Sequence, residues 1–229
     1  MICRADNIFA PMAISTVIFD MDGLLIDSEP LWQEAGKETL EKFDVILTNE
    51  QYQSSTGLRT PEWIDHWFSY FGIDKKHAPE AIKTIESTAI AKIRERGESL
   101  PGVEYIMDFF KNRDLALAVA SSSPMELINV VVDKLNIRGY LSNTTSAEKL
   151  PFGKPHPQVF IECAQALNAP ANQCVVFEDS FNCMIAAKAA KMKCVVIPHE
   201  SVYEGHQCGA ADLKRKSLEL FSVDDFQLL

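Results

Sequence analysis

Apolar residues along the chain form two kinds of pattern. Four short runs are continuously apolar and rich in β-branched residues: 14–19 (ISTVIF), 115–120 (LALAVA), 174–177 (CVVF) and 193–197 (KCVVI). Runs of this length without alternation predict strands buried on both faces. Elsewhere the spacing is helical, and helices are expected over 31–43, 61–70, 79–96, 103–111, 125–135, 157–167 and 181–190. Thr60, Pro61 and Glu62 make a helix start, with Thr60 expected as N-cap, proline at the first helical position and an early acid. Strand and helix alternate after residue 100, as in an α/β fold with a parallel sheet covered on both faces.

Between the first strand and residue 100 no strand is predicted. The expected organisation is therefore an α/β core of residues 1–29 and 100–229, split by an all-helical insert of residues 30–99. Residues 1–12 read as a loose leader. In open α/β sheets ligands sit at the carboxyl ends of strands, near the point where strand order reverses.

Polar clusters occupy those ends. The first strand runs into Asp20-Met21-Asp22-Gly23, the second into Ser121-Ser122-Ser123, and the third into Glu178-Asp179-Ser180, while Lys154-Pro155 precedes a helix. Asp20, Asp22, Asp179 and Glu178 offer hard oxygen ligands of the kind Mg²⁺ takes together with waters and a phosphate. Lys154 offers a point charge for phosphate, and Ser121 with the amides after it offers hydrogen-bond donors. An aspartate facing a phosphate is repelled by about 4 kcal/mol per unit-charge pair at ~4 Å and an effective dielectric of ~20. A divalent cation and Lys154 are of the right size to offset that repulsion. The carboxylate is then free to act as a nucleophile and form an aspartyl-phosphate.

Composition narrows the partners. The 229 residues carry 22 Lys and Arg against 32 Asp and Glu, a net charge of −10, so a nucleic-acid or anionic-membrane surface is not expected. No run approaches the roughly 18 apolar residues of a membrane span. The N-terminus makes a poor signal peptide, because Asn7 and Pro11 interrupt its apolar stretch. Six cysteines without a CxxC pair (Cys3, Cys163, Cys174, Cys183, Cys194 and Cys208) read as small buried hydrophobes in a reducing compartment. A cytoplasmic monomer or weak homodimer acting on a small phosphorylated metabolite is the expectation.

The clusters, in this order and after these strands, resemble the four motifs of the haloacid dehalogenase-like hydrolases. The resemblance runs from Thr16 to about Pro198. MDGLLIDSEPLW at 21–32 and SAEKLPFGKPHPQVF at 146–160 are similar to the bacterial hexitol phosphatase and 2-deoxyglucose-6-phosphate phosphatase branch. The resemblance implies an Mg²⁺-dependent sugar or sugar-alcohol phosphatase, with Mn²⁺ as a substitute metal. It implies Asp20 as nucleophile and Asp22 as the acid, then base, of the two half-reactions. Ser121, the Ser122 amide and Lys154 would hold phosphate oxygens. Asp20, the Asp22 carbonyl and Asp179 would bind the metal, with Glu178 beside them. The insert would be a cap over the site, and Gly57-Leu58-Arg59 its substrate-contacting loop. Arg59, Glu29 and Trp32 are candidates for reading the leaving group, whereas Trp63 and Trp67, at helical spacing, are expected in the core of the cap.

Two positions depart from the family pattern. Cys183 stands where a glycine is frequent, and Trp32 stands where the phosphomutases carry histidine. Trp32 argues against a sugar phosphomutase, and Asp22 argues against a haloacid dehalogenase, which lacks a second acid there. A non-catalytic binding protein on the same scaffold is the remaining alternative.

Overall fold

The computed structural model describes residues 13–55, 57–203 and 205–229, with every side chain among them except that of Gln53. The expected leader and Cys3 lie outside the described residues. Strands β1 (Thr16–Phe19), β2 (Ala116–Ser121), β3 (Leu141–Ser146), β4 (Cys174–Glu178), β5 (Lys193–Val196) and β6 (Leu213–Lys214) form one sheet in the order β3-β2-β1-β4-β5-β6. Every pairing is parallel.

The unbroken apolarity of the central strands has a direct cause. Val17, Phe19, Leu117, Val119, Val175 and Phe177 join one buried cluster, with Ile106, Phe110, Leu127 and Val131. Their neighbours Ile18, Ala118, Ala120 and Val176 join a second cluster on the other face, with Phe160, Met184 and Ala187. The flanking helices are α5 (Val103–Lys111), α6 (Met125–Lys134), α7 (Gln158–Ala166), α8 (Phe181–Ala189) and the short α9 (Val223–Gln227). Each large side chain buried this way contributes roughly 1.5–3 kcal/mol relative to leaving it exposed.

Between β1 and β2, ahead of α5, lie α1 (Glu29–Leu40), α2 (Asn49–Ser54), α3 (Thr60–Phe71) and α4 (Ala78–Arg96). Lys92 on α4 pairs with Glu34 and Glu38 on α1 at 3.0 and 2.8 Å, and Trp63, Ile64, Trp67 and Phe68 of α3 are buried. The chain leaves and re-enters the core side by side. Asp27 N–H donates to Glu98 O and Leu100 N–H to Leu25 O, with Ile26 bridged to Ser99.

The predicted elements match the observed ones within a residue or two, except that the helix expected to 43 ends at Leu40 and passes into a 3₁₀ turn over Glu41–Phe43. One start shifts: Arg59, not Thr60, is the N-cap of α3, because its extended backbone N–H donates to Glu62 Oε2 at 3.3 Å. Strands β3 and β6 and helices α2 and α9 were not anticipated. β3 lies at the sheet edge, half-exposed and polar (LSNTTS), so it lacks the two-sided burial that makes central strands apolar.

Candidate active site

Asp20 sits one residue past β1, and its N–H donates to Phe177 O at 2.9 Å, level with the end of β4. The chain then turns tightly, with Leu24, Leu25 and Ile26 N–H groups all directed at Met21 O. Gly23 makes the turn possible. It has φ +75°, and a Cβ there would lie 2.3 Å from Asp179 Oδ2. The nucleophile loop and the acid after β4 are thus pressed together by backbone geometry.

Asp20 is buried, with Oδ1 2.7 Å from the fully buried ammonium of Lys154. Asp22 is held at both oxygens. Ser28 Oγ (2.7 Å) and Trp32 Nε1 (3.0 Å) donate to Oδ1, while Ser123 Oγ (2.7 Å) and Ser121 Oγ (3.3 Å) donate to Oδ2. Ser121 in turn accepts from Ser123 N–H. Behind Trp32, the Tyr52 hydroxyl donates to its carbonyl at 3.0 Å.

The electrostatics are those of an over-anionic site. Burial raises Asp20 above the ordinary aspartate value against the pull of Lys154. Burial, then the charges of Glu178 and Asp20, raise Asp179 well above it. Glu178 is pushed up to about 8 by burial, again against Lys154. Glu29, in the pocket wall, rises to about 8 through burial and then Asp22 and Asp20. Burial works against the Lys154 ammonium, but Asp20, Cys183 and Glu178 outweigh it and raise its pKa. Lys154 thus stands against Asp20, Glu178 and Asp179 at once.

This donor set fits a divalent cation. Neither oxygen of fully buried Glu178 has a hydrogen-bond partner among the described residues, and Asp179 lies against Gly23 beside Asp20. Hard, unpartnered carboxylate oxygens of this kind suit Mg²⁺. Cys183 does not disturb the start of α8, which follows Ser180 as N-cap. Its Sγ lies with ligand atoms of Asp20 and Glu178 inside a 4.8 Å group.

A cavity of about 750 Å³, its open mouth included, lies between this cluster and the helical insert. Its walls include Asp20, Asp22, Ser121, Ser122 and Asp179 from the core, Glu29 at the first residue of α1, and Trp32, Tyr52, Arg59 and Trp63 from the insert. Glu29 and Trp32 therefore stand at the cavity, although the indole N–H of Trp32 is committed to Asp22. Trp63, expected only in the core, is buried yet lines the cavity, whereas Trp67 stays in the core. Lys154 and Glu178 sit behind Asp20, outside the cavity walls. Arg59 has its terminal nitrogens bonded to the core loop and to its own helix: Nη1 donates to Ala147 O (3.0 Å) and Leu150 O (2.6 Å), and Nη2 to Pro151 O (3.3 Å) and to Glu62 of α3 (2.6 Å).

Sequence reasoning missed Ser28 and Ser123 as holders of Asp22, and Glu62 as the partner of Arg59. Ser28 and Ser123 lie inside the motifs already singled out, but nothing in their spacing shows which carboxylate they face. Among the described residues Cys163, Cys174, Cys183 and Cys194 are buried free thiols and Cys208 is partly exposed. No helix among those residues is long and apolar enough to cross a membrane.

Residues 17–197 match the family model described as haloacid dehalogenase-like hydrolase. Hexitol phosphatase B of Escherichia coli (strain K12) is 36% identical over 216 residues, covering 94% of this chain and 97% of its own. The fructose-1-phosphate phosphatase of the same organism is 28% identical over 183 residues, covering 78% and 94%. Among solved structures, a β-phosphoglucomutase from Clostridium difficile superposes with a TM-score of 0.83 at 21% identity, covering 93% of this chain and 96% of that one, a likeness of fold alone.

Proposed function

Since the chain belongs to the haloacid dehalogenase-like hydrolases, we propose that it is a Mg²⁺-dependent phosphatase of small sugar or sugar-alcohol phosphates, working through an aspartyl-phosphate. The observation that carries this reading is the pairing of a buried Asp20–Lys154 couple with Asp22 held by four donors at the same strand ends. The similarity to hexitol phosphatase B and the fructose-1-phosphate phosphatase supports the substrate class.

In this reading Asp20 attacks phosphorus, and Lys154 neutralises both the nucleophile and a phosphate oxygen. Ser121 and the Ser122 amide hold the other oxygens. Asp22 gives a proton to the departing alcohol and then takes one from the attacking water. Its hydrogen bonds hold the carboxyl ready at the cavity wall. Asp20, the Asp22 carbonyl and Asp179, with Glu178 beside them, would hold the metal, which would supply charge neutralisation to the phosphoryl group. Residues 30–99 act as the cap, excluding water and limiting the substrate to a compact polyol. Glu29 and Trp32 face the leaving group across the cavity. Trp32 in the place of the phosphomutases' histidine keeps the reading on hydrolysis.

The test is a hydrolysis screen over sugar, sugar-alcohol and nucleotide monophosphates, with and without Mg²⁺. Release of phosphate from hexose or hexitol phosphates only with the metal is expected. Activity confined to nucleotides, or undiminished after metal removal, would refute the assignment.

A further inference from the structure

Arg59 sits where a substrate-reading residue was expected, yet its terminal nitrogens are used up elsewhere. Three of its four terminal N–H···O bonds reach backbone carbonyls 88–92 residues away, at Ala147, Leu150 and Pro151. The fourth reaches Glu62 at 2.6 Å. Glu62 Oε1 also accepts the N–H of Gly153 at 3.0 Å. A Cβ at Gly153 would stand 2.6 Å from Glu62 Oε2 and 2.7 Å from Arg59 Nε, so the loop backbone lies flat against the pair. Arg59 is 12% exposed in its side chain. The next residue along the loop is Lys154.

We propose that Arg59 and Glu62 form a clamp by which docking of the helical insert fixes the loop of residues 147–153 and so positions Lys154 against Asp20. Both are positioning residues in this account. The proposal rests on the reading that Lys154 serves the phosphate site. A planar guanidinium suits the task, because its fixed fork satisfies several carbonyls at once, which a lysine ammonium on a flexible stem does not. The loop carbonyls and the Gly153 amide have no partner on the insert except this pair among the contacts described. A weaker link, Ser122 Oγ to Gly57 O at 3.3 Å, joins the insert to the β2 loop. When the insert swings away, the loop loses three donated bonds and one acceptor together. Lys154 then loses its anchoring, and its 2.7 Å contact with Asp20 is no longer held in place. Reactivity is thereby tied to closure over a substrate.

The test compares wild type with Arg59→Ala, Glu62→Gln, Arg59→Lys, Lys154→Met and the double variant Arg59→Ala/Lys154→Met. It has two readouts: kcat/KM over a panel of p-nitrophenyl phosphate and several hexose and hexitol phosphates, and hydrogen exchange of amides 147–156. Arg59→Ala is expected to lower kcat/KM by about tenfold to a hundredfold, by one common factor across the panel. Arg59→Lys is expected not to restore it. In the Lys154→Met background the same change should matter within about twofold. Exchange over 147–156 should quicken while β1 and β4 stay protected. Glu62→Gln, which keeps size and loses charge, should show the same pattern if Arg59→Ala folds poorly. A changed ranking of substrates with unaltered exchange would make Arg59 a substrate reader and overturn the clamp, as would factors that multiply in the double variant. A wild type inactive on the whole panel would instead overturn the phosphatase reading, and the exchange measurement would still judge the clamp.

Discussion

Replacing Lys154 with methionine keeps most of the stem's volume but deletes the ammonium that pairs with Asp20 and lies over the Phe160 ring. The Lys154 ammonium lies 2.7 Å from Asp20 Oδ1, with both side chains buried. Breaking a buried pair by removing one partner costs about 3–5 kcal/mol. The Coulomb attraction is of the same order, about 6 kcal/mol for unit charges ~2.7 Å apart at an effective dielectric of ~20. The sign with pH follows from the carboxyl groups. Asp20, Asp179, Glu178 and Glu29 all have folded-state pKa values raised above the ordinary range, the last two to about 8. The folded state therefore holds more protons than the unfolded one between about pH 4.5 and 8, and stability falls as pH rises through that window. Lys154 opposes this, so its loss steepens the fall. In metal-free protein, Lys154→Met should cost about 3–5 kcal/mol at pH 8 and less than about 2 kcal/mol at pH 5.5, where Glu178 and Glu29 are already protonated. Urea unfolding of both proteins at the two pH values measures this directly. Equal destabilisation at both, or none at pH 8, would refute the idea that Lys154 neutralises the cluster.

Asp22→Asn should slow both half-reactions, and its first-step defect should be smaller for p-nitrophenyl phosphate, whose leaving group needs little protonation, than for a sugar phosphate; single-turnover kinetics reads the difference. Trp32→Phe removes one of the four donors on Asp22 and should lower kcat by about tenfold, roughly the worth of one hydrogen bond to a charged group, while shifting the pH–rate profile. A shifted substrate ranking with an unmoved profile would leave Trp32 a contact of the leaving group alone, with no part in tuning Asp22. Chelation with excess EDTA should abolish turnover, and added Mg²⁺ should raise Tm more at pH 8 than at pH 5.5, because binding competes with protons on the raised carboxyl groups. Ca²⁺ should inhibit, since its looser coordination misplaces the nucleophile.

The chain announces its α/β core and the carboxyl-end cluster without help from tertiary structure. Strands β1, β2 and β4 are buried on both faces, so their residues must be apolar throughout, and the polar residues Asp20, Ser121 and Asp179 then stand out where each strand stops. Helices α3 and α4 are equally legible, each carrying a proline at its start and an apolar face. β3 escaped notice because an edge strand, half-covered, has no need of apolar residues on both sides. The roles of Trp32 and Arg59 were beyond the pattern for a different reason. Each makes contacts that spacing does not encode: the indole N–H of Trp32 turns back onto Asp22 ten residues earlier, and the guanidinium of Arg59 meets carbonyls about ninety residues later. The same holds for the raised pKa values of Glu29 and Glu178. Composition shows acids and a lysine, but only folding removes the water between them and makes their mutual repulsion strong.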